Sequence, residues 1–256
     1  MAEAPHTLEG WYVLHDFRRF HWGAWRDLDE AERQAVSEEL QTTYLDPLES
    51  YAGEGYSVWY AIGGHKADLL FMHLRPTLDD VLQLELTLNV SRFADYMTQV
   101  FAFVSVTEFG HYTGGPEHVA DSPRKQAQIQ RRLYPQKPDY GYLSFYPLNK
   151  RRDEINNWYT LPIEERQRLI YQYGLVGRKH SGDVLQFITG AIGFDDWEWG
   201  VTLQSNNPLA LKKLVQEMRF EESNAKYVEF GPCFVGKRLN QRQLFDYLAG
   251  KLVPHL

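Results

Sequence analysis

The same order of strand-like and helix-like segments occurs twice along this chain, and that repetition constrains the fold more than any single residue does. The first pass runs from strand-like "EGWYVLHDF" to a helix opening at Asp27, with Glu30 three residues later in capping-box spacing. Strand-like "YSVWYAI" and "ADLLFMHL" follow, then a helix from Thr77 to about Met97 with Thr77 as N-cap, and a closing strand "QVFAFVSVTEF". The second pass runs "YGYLSFYPL", a helix from about Pro162 to Tyr173, "DVLQFIT", "DWEWGVTL", a helix opening at "NNP" ahead of Leu209, and "KYVEFGPCFVG". Leu211, Leu214, Val215 and Met218 in that last helix fall at i, i+3, i+4 and i+7 and form one apolar face. Each pass is a β-α-β-β-α-β unit, the ferredoxin-like arrangement of an antiparallel sheet with helices on one face. The other face, rich in Trp and Phe, needs a cover that the second sheet can supply. The expected fold is α+β, two fused ferredoxin-like repeats of the dimeric α/β-barrel type. The expected limits are 1–110 for the first repeat, 111–139 for a Gly/Pro-rich, then basic, ordered or lid-like connector, and 140–256 for the second.

Composition narrows the function. With 256 residues, 43% of them apolar and 14% aromatic, the chain can bury a sizeable core. The formal charge of −7 argues against an extended nucleic-acid footprint and leaves room only for a local basic pocket. A single cysteine, Cys233, can form neither an internal disulfide nor a Cys-rich metal site, and its context "FGPCFVG" reads as strand. The opening "MAEAPHTLEG" lacks the regions of a signal peptide, and no apolar run reaches the length of a membrane span, so the expectation is a cytoplasmic protein without membrane or nucleic-acid partners. No phosphate loop, nucleophile elbow or paired metal spacing is present. The run "SFYPLNKRR" sets Tyr146 and Lys150 near a strand end, with Arg151 and Arg152 following. A basic edge that discourages sheet aggregation and a pocket for an anion both account for it. Arg132 and Arg219 are unremarkable taken singly.

Longer stretches carry more. The runs "GHKADLLFMHLRPTLDD", "FYPLNKRR…NNWYTLP", "GRKHSGDVLQFITGAIGFDDWEWGVTL" and "KKLVQEMRFEESNAKYVEFGPCFVGKRL" together resemble the coproheme decarboxylases, hydrogen-peroxide-dependent heme synthases of the chlorite dismutase superfamily. The resemblance spans nearly the whole chain. It implies two ferredoxin-like repeats with the heme site in the second, assembly as a homopentamer, and oxidative decarboxylation of two propionates of iron coproporphyrin III to vinyl groups, giving heme b. Tyr146 then stands at the catalytic tyrosine position, where a phenol can give up a proton and an electron to an iron centre. Lys150, Arg132 and Arg219 match propionate-binding or proton-handling basic residues, since carboxylates call for charge-assisted hydrogen bonds. Leu148 stands where methionine is common, and Asn224 where a serine commonly meets a propionate. Gln186 takes the distal position, where true chlorite dismutases have arginine; a neutral amide cannot supply that charge, which sets chlorite dismutation aside.

One position departs from the pattern. The proximal histidine immediately precedes a Gly-x-x-Gly-Arg turn, and here that place is held by Tyr173, on one helical face with Leu169 and Ile170. Tyrosinate ligates heme iron in catalases, so Tyr173 is the candidate metal ligand. His180 lies beyond Gly174 and Gly177, which are expected to end the helix, and reads as a polar residue at a strand start. The alternative function is therefore a non-enzymatic heme- or porphyrin-binding paralogue, or one without cofactor.

Overall fold

The structure, a computed structural model, describes residues 4–110 and 123–251. In chain order it contains β1 (Thr7–Phe20), α1 (Trp22–Asp27), α2 (Glu30–Leu40), a π-helical turn, α3 (Asp46–Glu49), β2 (Tyr56–Gly63), β3 (Leu69–Arg75), α4 (Leu78–Asn89) and β4 (Met97–Gly110). There follow α5 (Pro123–Leu133), β5 (Tyr142–Lys150), α6 (Ile163–Lys179), β6 (Leu185–Gly190), β7 (Trp199–Ser205), α7 (Pro208–Phe220), α8 (Glu222–Tyr227), β8 (Val228–Phe230), β9 (Phe234–Leu239) and α9 (Gln241–Leu248).

Among the described residues two compact units result, an N-terminal one of 11–104, 136–141 and 234–251, and a C-terminal one of 4–10, 105–110, 123–135 and 142–233. The N-terminal unit has the strand order β4-β1-β3-β2, with β9 added beside β2. The C-terminal unit has β6-β7-β5-β8, with β4 beside β6. Each holds the antiparallel order of a ferredoxin-like β-α-β-β-α-β repeat, so the fold class is α+β.

The division differs from the linear one expected. Strand β9 pairs with β2 from Trp59↔Leu239 to Gly63↔Val235, and Leu244 and Leu248 of α9 are buried with Leu40, Phe71 and Phe93. Residues 234–251 thus belong with the N-terminal repeat rather than with 140–256. Of the connector, 123–133 is helix α5, and 111–122 lie outside the described residues.

Local chemistry accounts for other shifts of boundary. Asp27 is the last residue of α1, and the cap of α2 is Asp29, whose carboxylate accepts the Glu32 N–H at 2.8 Å. Thr77 caps α4 as expected, its hydroxyl accepting from the Asp80 N–H at 3.1 Å, but the helix ends at Asn89 and β4 begins at Met97. The second-repeat segment "KYVEFGPCFVG" is not one strand. Gly231 donates its N–H to the Pro147 carbonyl at 2.9 Å, and a Cβ there would lie 2.7 Å from Pro147 Cγ and 2.9 Å from the Trp197 ring. The chain breaks at this crossing, and Cys233 is exposed between β8 and β9.

Candidate functional site

Alternation along β5 sets the first group. Tyr142, Tyr146 and Leu148 share one face of the strand, and all three belong to the cluster that α7 covers with Leu211, Leu214 and Met218. Tyr146 is 3% exposed and its ring packs against Phe230 at 5.7 Å. Burial first, then the neighbouring Tyr173 and Cys233, push its phenol well above the usual range, while the positive charge of Arg219 opposes the shift. Gln186 of β6 is aligned with Leu203 of β7, and Tyr146 with Val201, so Gln186 and Tyr146 face the same side two strands apart and offset by two residues along the strands.

Helix α6 faces this side of the sheet. It does not stop at Tyr173 but continues through Gly174 and Gly177 to Lys179. A Cβ on Gly177 would meet Gln186 Oε1 at 3.1 Å, so the glycine lets the helix close on that side chain. One turn earlier, the Tyr173 hydroxyl accepts a hydrogen bond from Gln186 Nε2. Burial pushes the Tyr173 phenol up to about 12, against the lowering influence of this bond and of Arg132. His180 caps the end of α6 and bonds Glu217 of α7 at 2.8 Å, a helix-end contact rather than the expected strand-start position.

One arginine acts on each tyrosine, Arg219 on Tyr146 and Arg132 on Tyr173. Arg132, near the end of α5, lies 5.7 Å over the Phe109 ring and is placed by the Leu133 carbonyl, which accepts from Thr107 Oγ1 at 2.7 Å. Burial lowers its guanidinium, and Tyr173 and Glu108 act the other way. Arg132 and Tyr173 nevertheless keep accessible surface. Arg219 closes α7 with its guanidinium 4.2 Å over Phe230, the ring that also packs on Tyr146. Lys150 Nζ sits 4.0 Å over the Trp158 ring and donates to Ser223 Oγ at 3.1 Å. Burial brings its ammonium down to about 8, with Glu221 and Glu198 holding it from falling further.

Of the expected residues, Tyr146, Tyr173, Gln186, Arg132 and Arg219 come together within the C-terminal unit, whereas Lys150 is held beside Trp158 and Ser223. Leu148 lines the same face. Asn224 is more structural than expected: its side-chain amide donates to the Met218 carbonyl at 2.9 Å, which ties α8 to α7. Arg152 pairs with Glu198, and Tyr159 donates to the same carboxylate at 2.5 Å. Two acids escape a sequence reading. Glu198 also accepts the Lys150 N–H at 2.7 Å, and buried Glu221 caps α8 through its Oε2 while its Oε1 has no hydrogen-bond partner. The Glu-x-x-Asn spacing of 221–224 is a cap signal, but nothing local sets its carboxylate near Lys150.

The set of cations suits a ligand with several carboxylates. The axial pair fits less well. Tyr173 and Gln186, expected on opposite faces of a porphyrin, bond each other directly, and as these side chains stand no ring fits between them. Among the described residues no group of three or more His, Cys, Asp or Glu side chains is placed to hold a metal ion, and no helix is long and apolar enough to cross a membrane.

A family model described as chlorite dismutase matches residues 26–239. A solved structure from Thermus thermophilus, described as a novel heme-binding protein, is 45% identical with a TM-score of 0.90, over 97% of this chain and 99% of that one. A mutant chlorite dismutase from Candidatus Nitrospira defluvii is 19% identical with a TM-score of 0.74, over 94% and 97% of the two chains. The chlorite dismutase of that organism in complex with imidazole matches at 19% identity and a TM-score of 0.73, over 94% and 96%. At that identity the likeness is one of fold.

Proposed function

The chain belongs to the chlorite dismutase family, and on that premise we propose that its C-terminal unit binds iron coproporphyrin III and decarboxylates two of its propionates to vinyl groups, giving heme b, with hydrogen peroxide as the oxidant. The observation that carries this reading is the pairing of cations with the two tyrosines, Arg219 beside buried Tyr146 and Arg132 beside Tyr173, with Lys150 on the same alternating set of β5 as Tyr146. Three cations suit a porphyrin with four carboxylates better than one with two. When bound, the iron porphyrin would activate the peroxide, whose two-electron reduction to water balances the oxidation of each propionate to a vinyl group and carbon dioxide. Tyr146 supplies a phenol that burial keeps protonated at neutral pH, so its O–H hydrogen remains available beside a propionate. Lys150, brought down to about 8, is cationic at neutral pH yet close enough to its titration to pass a proton on. Arg132 and Arg219 orient carboxylates. The heme-binding description of the Thermus protein supports a porphyrin as the ligand. The family resemblance further supports a cytoplasmic homopentamer, which light scattering tests.

The second reading is a porphyrin-binding or cofactor-free member without this activity, and the bond between Gln186 and Tyr173 favours it. A titration with ferric coproheme and peroxide separates the two. The parent is expected to bind coproheme and form heme b; Tyr146→Phe is expected to bind it nearly as well and form none. Heme b formed by Tyr146→Phe at the parent rate reduces Tyr146 to a packing residue, and binding without turnover by the parent supports the second reading.

A further inference from the structure

We infer that Gln186 and Tyr173 form a latch that closes the site between β6 and α6, and that a porphyrin enters only when this latch opens. The inference rests on the porphyrin reading above. Two contacts carry it. Gln186 Nε2 donates to the Tyr173 hydroxyl, and Gln186 Oε1 lies against the backbone of Gly177, where an added Cβ would be 3.1 Å away. The Gln186 side chain thus touches α6 at two places one turn apart, through a hydrogen bond at Tyr173 and by close packing at Gly177. A planar macrocycle seated there needs about 7 Å between the atoms facing it, two contacts of about 3.5 Å each. A hydrogen bond leaves less than half of that. The two side chains are only half-buried, so water reaches the latch and can replace its bond when it opens.

The latch belongs to the kinetics of entry, and a metal-free ring reads it without involving axial ligation. Metal-free coproporphyrin III keeps the four carboxylates and the flat ring, and its fluorescence reports binding. We expect Gln186→Ala and Tyr173→Phe each to associate with it roughly fivefold faster than the parent, the factor that one net hydrogen bond is worth. Binding by both variants but not by the parent gives the same answer in a stronger form. Association of all three proteins at one rate overturns the latch and leaves the porphyrin reading in place. If none binds either the metal-free ring or ferric coproheme at micromolar concentration, the porphyrin reading falls and takes the latch with it. The parent alone supplies a further check. The side-chain amide resonances of Gln186 should shift between the ligand-free protein and saturating coproporphyrin as the bond to Tyr173 is lost; unchanged resonances overturn the latch even if a variant folds poorly.

Discussion

Each repeat has a tyrosine on a helical segment that hydrogen-bonds a side chain of its sheet, and the two pairs differ in what surrounds them. In the N-terminal unit Tyr44 is 2% exposed and its hydroxyl meets His73 Nε2 at 2.9 Å. His73 Nδ1 then meets Ser57 Oγ at 2.8 Å, and Arg75 donates to that same oxygen at 2.9 Å. This polar chain is sealed, with Leu40, Leu45, Phe71 and Phe93 forming the neighbouring apolar core. In the C-terminal unit the bond of Tyr173 with Gln186 stands half-exposed, with Arg132 in electrostatic reach. One repeat uses its polar residues to complete a core, and the other keeps them where a ligand can compete for them. A shared topology therefore says little about which copy carries chemistry; the burial of its polar groups says more.

The comparison breaks most readily in the core. Phe71→Ala should cost about 3–5 kcal/mol in denaturant unfolding, since a fully buried ring leaves a cavity among packed neighbours. A loss below about 1 kcal/mol would show that the N-terminal core is not tightly packed around Phe71.

Acid tests the sealed polar groups. His15 and His73 are both brought down to about 3 by burial, so each stays neutral in the folded chain while its unfolded counterpart takes up a proton below about 6.5. The stability they confer is complete above that value and is lost as pH falls toward 3, with a slope of up to about 2.7 kcal/mol per pH unit for two protons. Unfolding midpoints at pH 7, 6 and 5 measure it, and replacing His15 with Gln should roughly halve the slope.

In the open unit the expected effects move from stability to ligand. Arg219→Ala should weaken coproheme by about 1.5–3 kcal/mol, and heme b by less, because fewer carboxylates then depend on the cations. Equal weakening of both in absorbance titrations would place Arg219 at a propionate that heme b retains, and weakening of neither would put it outside the carboxylate site. The smallest effect is expected from Tyr173→Phe, at most about 1 kcal/mol of folding stability, since the lost bond is half-exposed. A larger loss would make Tyr173 a core residue like Tyr44.

Much of the fold was legible because it is written locally. Strand-like runs rich in β-branched and aromatic residues outline both repeats, Thr77 caps its helix where expected, and the helix expected to open at "NNP" is capped by Asn207, which accepts the Leu209 N–H at 3.0 Å. What escaped depends on partners distant in sequence. Gly174 and Gly177 look like helix breakers, but α6 runs through both, and at Gly177 a tertiary contact with Gln186 takes advantage of the missing side chain. Strand β9 finds its partner in β2, far back along the chain, and no periodicity announces that. The candidate site was readable as a set of residue types through family resemblance. The direct bond between Tyr173 and Gln186 was not, because it depends on how closely a helix approaches a strand.

The narrow crossing at Gly231 bears on how this sequence can change over time. With Pro147 Cγ and the Trp197 ring both within 3 Å of where its side chain would begin, position 231 can enlarge only if 147 or 197 becomes smaller. Pro147 directly follows Tyr146, so drift at one end of this trio would tilt the strand that presents the phenol. The three positions should therefore vary together or not at all among relatives that keep Tyr146.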